Sequence, residues 1–171
     1  MEFAQTERSL EIKDRAVDFM NKHVHPVNKH YLEVAHSDQR NDPKAFDLRA
    51  QAKELGLWNL FFPHLRDDEP GTGLTNFEFA PICEEIAKFP WAYEVFNCNA
   101  PVTGNMELLS AVTNEAQREK WLKPLLEGDC YSCFAATEPE VASSDATNYQ
   151  TTIVRDGDDY VVNVRFWPFS A

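Results

Sequence analysis

Basic residues are scarce in this chain of 171 residues: 16 Lys and Arg stand against 28 Asp and Glu, a formal charge of −12. Sequence-independent nucleic-acid binding draws its affinity from Lys and Arg on phosphates, so the balance argues against that role and against docking on anionic lipid. Glycine is also sparse, at six residues with ten prolines, which excludes collagen-like and Gly-rich low-complexity sequence. No stretch of about 18 apolar residues exists, so no bilayer-spanning helix is expected. The start, MEFAQTERSLEIKDR, has no apolar signal-peptide core, and its Glu2, Glu7, Glu11 and Asp14 are unlike an acid-poor transit peptide. An intracellular, reducing setting is expected, with the four cysteines as free thiols.

What is present is enough apolar material to fold. Apolar residues make up 43% and aromatics 12%, which excludes a disordered chain. The length predicts one domain, or one plus a fragment of a second. Phe3, Leu10, Val17 and Val24 recur every seven residues, with Ala16 and Met20 beside them, and predict a long amphipathic helix that Pro26 stops or kinks. His30 to Asn41 reads as a loop. Asp42 and Pro43 then signal a helix carrying Phe46, Arg49 and Leu55, with Gly56 as its left-handed terminator. Leu57 to Phe62 reads as a compact linker to the core, and His64 to Gly73 as a surface loop. Thr75 with Glu78 is a capping box ahead of Phe79, Ile82, Cys83, Ile86 and Phe89, with Pro90 as the stop. A further helix is predicted over Thr103 to Val112. Asn114 with Gln117 starts another, which carries Trp121 and Leu122 and breaks at Pro124.

The texture changes at Gly128. Cys130 to Ala136 is small and apolar, and Thr151–Val154 and Tyr160–Val164 are β-branched or aromatic runs joined by the hairpin connection Arg155–Asp159. The fold class read from this order is α+β: an N-terminal α-helical bundle (residues 1–129), then the first strands of a β-barrel or β-sandwich domain (residues 130–171). No internal repeat is visible.

The chemistry-bearing motifs divide between functional and structural readings. Cys130-Tyr-Ser-Cys133 lacks a second ligand pair for zinc and does not open a helix as a redox CxxC would, so buried or half-buried thiols are expected. His23, His25, His30 and His36 read as a solvated helix end; His23 and His25, two apart, share no helix face. No metal site is expected. Pro70-Gly-Thr-Gly73 lacks the Lys-Ser/Thr of a phosphate loop and the third Gly of a dinucleotide fingerprint, and reads as a turn. The polar stretch from Ala135 to Asn148 holds four hydroxyls, on Thr137, Ser143, Ser144 and Thr147. Two readings stay open: a cradle for an anionic or polyhydroxylated ligand, or a surface loop of self-capping turns.

Taken in order, Gly73-Leu74, Glu78, Ile82, Glu84-Glu85-Ile86-Ala87, Asn114-Glu115 through Trp121-Leu122-Lys123-Pro124, Leu125-Leu126-Glu127-Gly128-Asp129, Thr137-Glu138-Pro139, Ser144-Asp145, Gly157-Asp158, Tyr160-Val161-Val162-Asn163 and Trp167 resemble the acyl-CoA dehydrogenase family. The form TEP–SSDATN resembles the branch containing the mammalian members ten and eleven. The resemblance implies an oxidoreductase of fatty acid metabolism and β-oxidation: a flavoprotein in which a Glu takes the α proton of an acyl-CoA thioester and a β hydride passes to FAD N5. It implies FAD contacts at Phe134, Ala136, Thr137, Ser143, Ser144 and Trp167, with a further one on Phe169 or Ser170, and Ser144 also on the substrate side. It further implies an electron-transfer flavoprotein as partner, a homo-oligomer (dimer or tetramer), and a mitochondrial or peroxisomal location in eukaryotes, cytoplasmic in bacteria.

The tail departs from the family, since Val164 stands where relatives carry Gly and Pro168 follows the tryptophan. The family's catalytic Glu belongs to a C-terminal helical domain that these 171 residues do not include. No catalytic residue is therefore assigned, and Glu138 is read as structural. The chain is expected to be an N-terminal portion or truncated isoform, inactive alone and binding FAD weakly or not at all by itself. The alternatives are a non-catalytic helical interaction module that pairs with a full-length subunit, and a relative of acyl-CoA oxidases.

Overall fold

Thr6 is extended, and its hydroxyl accepts the Ser9 amide at 3.1 Å, so α1 (Glu7–Phe19) begins where a side chain can satisfy a free donor. The computed structural model describes residues 4–35, 43–100 and 102–165. Phe3, His36, Asp42, Trp167, Pro168, Phe169 and Ser170, and the side chain of Phe46, lie outside them. Chain contacts divide the protein into two units, Met1–Ser132 and Cys133–Ala171.

The buried face of α1 is Ser9, Ile12, Ala16 and Phe19. Of the predicted stripe, Ala16, Met20 and Val24 are buried and Val17 is half-buried, but Leu10 is 47% exposed, so the seven-residue repeat marks the buried face only in part. A straight helix drifts by about 20° per seven residues against such a repeat, whereas spacings of three and four stay on one side. Pro26 does not stop the helix. Met20–Val24 form a π turn in which the His25 amide reaches the Met20 carbonyl, His25–Val27 tighten to 3-10 geometry, and α2 (Asn28–Ala35) continues. The expected loop from His30 thus begins as helix. The widened turn changes the carbonyl pairing just ahead of a ring that cannot donate.

Helix α3 (Pro43–Glu54) ends as the sequence indicates. Gly56 has φ 67, its amide reaches Lys53 O at 2.9 Å, and the Leu57 amide reaches Ala52 O at 2.8 Å, a paired closure of the last carbonyls. Leu57 to Phe62 is not a linker. Leu57, Leu60 and Phe62 are fully buried among Ile82, Ile86, Phe96, Met106, Leu122 and Leu126, and form the centre of the core. Asn59 and Asn97 sit within it at φ 47 and 55. Asn59 Nδ2 donates to Leu126 O (2.9 Å) and Pro70 O (2.7 Å), and Asn97 Nδ2 donates to Leu125 O (2.9 Å) and Asn59 Oδ1 (2.8 Å). Buried carbonyls are thereby given side-chain donors.

Helix α4 (Asn76–Ile86) opens with the full Thr75–Glu78 capping box. Pro81 lies inside it and cannot donate to Phe77 O, and Gln5 Nε2 takes that carbonyl at 3.1 Å. Pro90 begins the 3-10 turn Pro90–Tyr93 rather than ending α4. Helix α5 (Val102–Val112) buries Val102 and Met106 and leaves Leu108 exposed. The Asn114–Gln117 box opens α6 (Glu115–Gln117). No break follows at Pro124: a second π turn, Arg118–Leu122, precedes α7 (Lys123–Glu127), as the first precedes Pro26.

The second unit carries an antiparallel hairpin, β1 (Thr152–Asp156) and β2 (Asp159–Asn163), with Ile153 opposite Val162 and Arg155 opposite Tyr160. Gly157, at φ 62, makes the two-residue turn. The molecule is thus helical with the opening strands of a β domain, the α+β order read from the sequence.

Candidate functional site

Within the polar stretch from Ala135 to Asn148, some side chains are engaged by the loop itself and others are not. Residues 131–138 are in neither helix nor strand, and Phe134 is 63% exposed. Ala136 and Thr137 are half-buried, and Ser144 is exposed. Ala136 and Glu138 line, with Tyr149, Thr151, Val162 and Val164, a mainly apolar cleft of about 290 Å3.

Two of the four hydroxyls brace the loop itself. Ser143 Oγ accepts the Glu138 amide at 2.8 Å. Asp145 Oδ1 accepts the Thr147 amide at 3.0 Å and its hydroxyl at 2.7 Å, which starts the turn Ala146–Asn148. That pattern is the self-capping use of Ser, Thr and Asp. Thr137 and Ser144 are not drawn into it. Ala136, Thr137, Ser143 and Ser144 thus lie along one braced loop, with Phe134 just before it in the chain. Trp167, Phe169 and Ser170 lie outside the described residues.

Glu138, read as structural from the sequence, closes this loop through partners the sequence did not indicate. The Glu138 side chain is buried and accepts from the Gln150 amide (2.7 Å), the Thr151 amide (2.8 Å) and the Thr151 hydroxyl (2.5 Å). The Thr151 hydroxyl first, and then the Gln150 amide, hold its carboxyl below the ordinary glutamate range. A carboxylate so engaged is a weak base, which agrees with leaving it out of proton transfer. Periodicity could not reveal partners 12 and 13 residues away.

The cysteines carry a correction. None is in a disulfide, but Cys130 and Cys133 are exposed rather than buried, because the segment after α7 leaves the core; Cys98 is buried and Cys83 partly so. Among the described residues no three His, Cys, Asp or Glu side chains gather as a metal site would require, and no helix is long and apolar enough to cross a membrane.

Residues 6–129 match the family described as "Acyl-CoA dehydrogenase, N-terminal domain". The chain is 43% identical over 171 residues to acyl-CoA dehydrogenase family member 11 of Gallus gallus, a match that covers 96% of this chain and 21% of that protein. It is 42% identical over 175 residues to a probable acyl-CoA dehydrogenase, FadE2, of Mycobacterium tuberculosis, covering 98% of this chain and 41% of the relative. Acyl-CoA dehydrogenase family member 10 of Mus musculus is 44% identical over 158 residues, covering 90% of this chain and 15% of that protein. Among solved structures, a putative acyl-CoA dehydrogenase from Mycobacterium abscessus superposes with a TM-score of 0.83 at 42% identity, over 96% of this chain and 42% of its own. A glutaryl-CoA dehydrogenase from Mycobacterium smegmatis shares the fold, with a TM-score of 0.68 at 21% identity, over 93% of this chain and 38% of its own. The chain thus spans about a fifth of the member 11 proteins and about two-fifths of the mycobacterial ones. With a family match over most of its length, and residues in the same order on the same fold, the chain belongs to the acyl-CoA dehydrogenase family through that family's N-terminal domain.

Proposed function

We propose that these residues form the N-terminal part of a flavin-dependent acyl-CoA dehydrogenase and carry one wall of its FAD pocket. The observation that supports this is the loop after Phe134, which is closed by its own hydrogen bonds yet leaves the Thr137 and Ser144 hydroxyls and the Phe134 ring outside that brace. An isoalloxazine is a flat, largely apolar ring system edged with hydrogen-bonding atoms, and an apolar wall with a few fixed donors suits it. The residues present fit that need. Phe134, Ala136, Thr137, Ser143 and Ser144 would hold the group, with Trp167 packing on it and Phe169 or Ser170 completing the wall, and Ser144 would also face the acyl-CoA. FAD, when bound, supplies the acceptor for the hydride from the β carbon of the thioester. The part of this chain is to orient the ring and exclude water from one side. Glu138 does not take the substrate proton, because its carboxylate is buried and already accepts three hydrogen bonds. We assign the base to polypeptide outside these residues and expect no turnover from the chain alone. The helical domain is taken as 1–129 and the start of the β domain as 130–171. For the whole protein the reading carries an acyl-CoA substrate, an electron-transfer flavoprotein, a dimer or tetramer, and a mitochondrial, peroxisomal or bacterial cytoplasmic setting.

Titrating FAD into the chain while following backbone amide shifts tests the pocket wall. Shifts concentrated at 134–144 are expected; a flat response there would remove the reading.

A second reading is favoured by the hairpin. Every residue of β1 and β2 is exposed, including Ile153, Val154, Tyr160, Val161 and Val162. An uncovered apolar hairpin favours association. In this reading the chain is a non-catalytic partner of a full-length subunit. Gel filtration with and without a full-length homologue decides it: co-elution supports the module, and separate elution at high concentration rejects it.

A further inference from the structure

We propose that Glu138 is the positioning residue of the candidate flavin loop, acting through the backbone on either side of it to aim the hydroxyls of Thr137 and Ser144. The proposal rests on the flavin reading above and adds to it a residue that touches neither cofactor nor substrate.

Three observations carry it. Glu138 is 6% exposed, so its carboxylate is removed from water and depends on protein donors. Those donors all come from the segment entering β1: Oε2 accepts the Gln150 amide at 2.7 Å, and Oε1 accepts the Thr151 amide at 2.8 Å and the Thr151 hydroxyl at 2.5 Å. The amide of the same residue donates to Ser143 Oγ at 2.8 Å. One residue therefore ties the start of the loop both to its middle and to its end. Thr137 immediately precedes the pinned residue and Ser144 immediately follows the pinned serine. Each candidate donor therefore has a neighbour held by a hydrogen bond.

The choice of a carboxylate follows from the partners. All three are donors, so the site needs acceptors alone, on two oxygens at once. An ionised Glu provides both and carries no hydrogen of its own. The geometry uses neutral donors throughout and no Lys or Arg, so alignment rather than ion pairing is what the site supplies. Glutamine keeps one oxygen but turns an NH2 toward the other donor. It should therefore hold either the Gln150 or the Thr151 contact and lose the other. Alanine loses both.

The test uses the whole chain with Glu138→Ala and Glu138→Gln. Amide exchange at Gln150 and Thr151 reports the staple without any ligand. FAD-induced shifts at Thr137 and Ser144 report what the staple aims. In Glu138→Ala exchange should accelerate about tenfold or more at both amides, from the loss of charge-assisted hydrogen bonds. The FAD-induced shifts at Thr137 and Ser144 should fall several-fold. Glu138→Gln should accelerate exchange at one of the two amides only and restore part of the FAD response, and it decides the matter if the alanine variant does not form the hairpin. Unchanged exchange in both variants would overturn the staple. Faster exchange with FAD shifts equal to those of the unaltered chain would overturn the positioning role and leave a structural brace. An unaltered chain that shows no FAD response, while its variants still lose protection, would remove the flavin reading itself and the positioning role with it.

Discussion

Gly128 ends α7 at φ 79, and a Cβ built there would lie 2.6 Å from Trp58 Cζ2 and 2.7 Å from Arg49 Nη2. Arg49 is itself buried, lies over the Trp58 and Tyr131 rings at 5.3 and 5.1 Å, and donates to Tyr131 Oη at 2.6 Å. Gly128→Ala should destabilise the helical unit by about 1–2 kcal/mol from the left-handed backbone alone, with the displaced rings adding to it. Urea unfolding followed by tryptophan fluorescence measures this. At Glu138 the sign of the pH effect is set by a carboxyl held low in the folded state. Its contribution to stability is fully present above the unfolded glutamate pKa and is lost as pH falls through the lower folded value. The carboxyl carbon of Glu138, followed by NMR, should accordingly titrate at lower pH than a glutamate of the unfolded chain. Thiol reactivity follows exposure in the same way. Burial pushes Cys98 up to about 12, whereas Cys130 is exposed. Brief alkylation at neutral pH, read by mass spectrometry, should label Cys130 and leave Cys98 unmodified.

At the scale of elements, the two π turns show how this chain keeps proline inside nearly continuous helix. Each ends two residues before its proline, Val24 before Pro26 and Leu122 before Pro124. The second is anchored by an ion pair. Arg118, at the head of the π turn, holds Glu69 through two bonds of 2.8 Å, with the side chains only 8% and 13% exposed. Such a pair is weak evidence for net stability, but removing one partner strands a buried charge. Glu69→Ala should cost about 3–5 kcal/mol, while Glu69→Gln, which keeps an acceptor, should cost less; thermal unfolding of both variants checks the order. Element ends were the most legible part of the sequence. The Thr75–Glu78 and Asn114–Gln117 boxes, the Gly56 terminator and the Gly157 turn all form as read, because each is settled within a few residues.

For the whole molecule the dominant long-range property is the charge of −12. The FAD diphosphate is anionic, so the chain repels it within a Debye length of about 8 Å at physiological ionic strength, and weak binding is expected from the chain alone. Raising salt from low to physiological strength should tighten FAD binding by screening that repulsion, the reverse of a basic cofactor site. Flavin absorbance retained after desalting measures it; a stoichiometric yellow protein at low salt would contradict the expectation.

Composition and local pattern were enough to establish the helical bundle, its caps, the hairpin and the residues that resemble the family, because these depend on neighbours a few positions apart. Three matters were decided only when the chain folded on itself. Leu57 to Phe62 became core rather than linker, since burial is a property of what surrounds a segment. Both prolines were absorbed rather than obeyed, since a π turn could re-pair the carbonyls around them. The loop at Thr137 acquired its shape from Glu138 reaching Gln150 and Thr151, a contact between residues that no short-range signal connects.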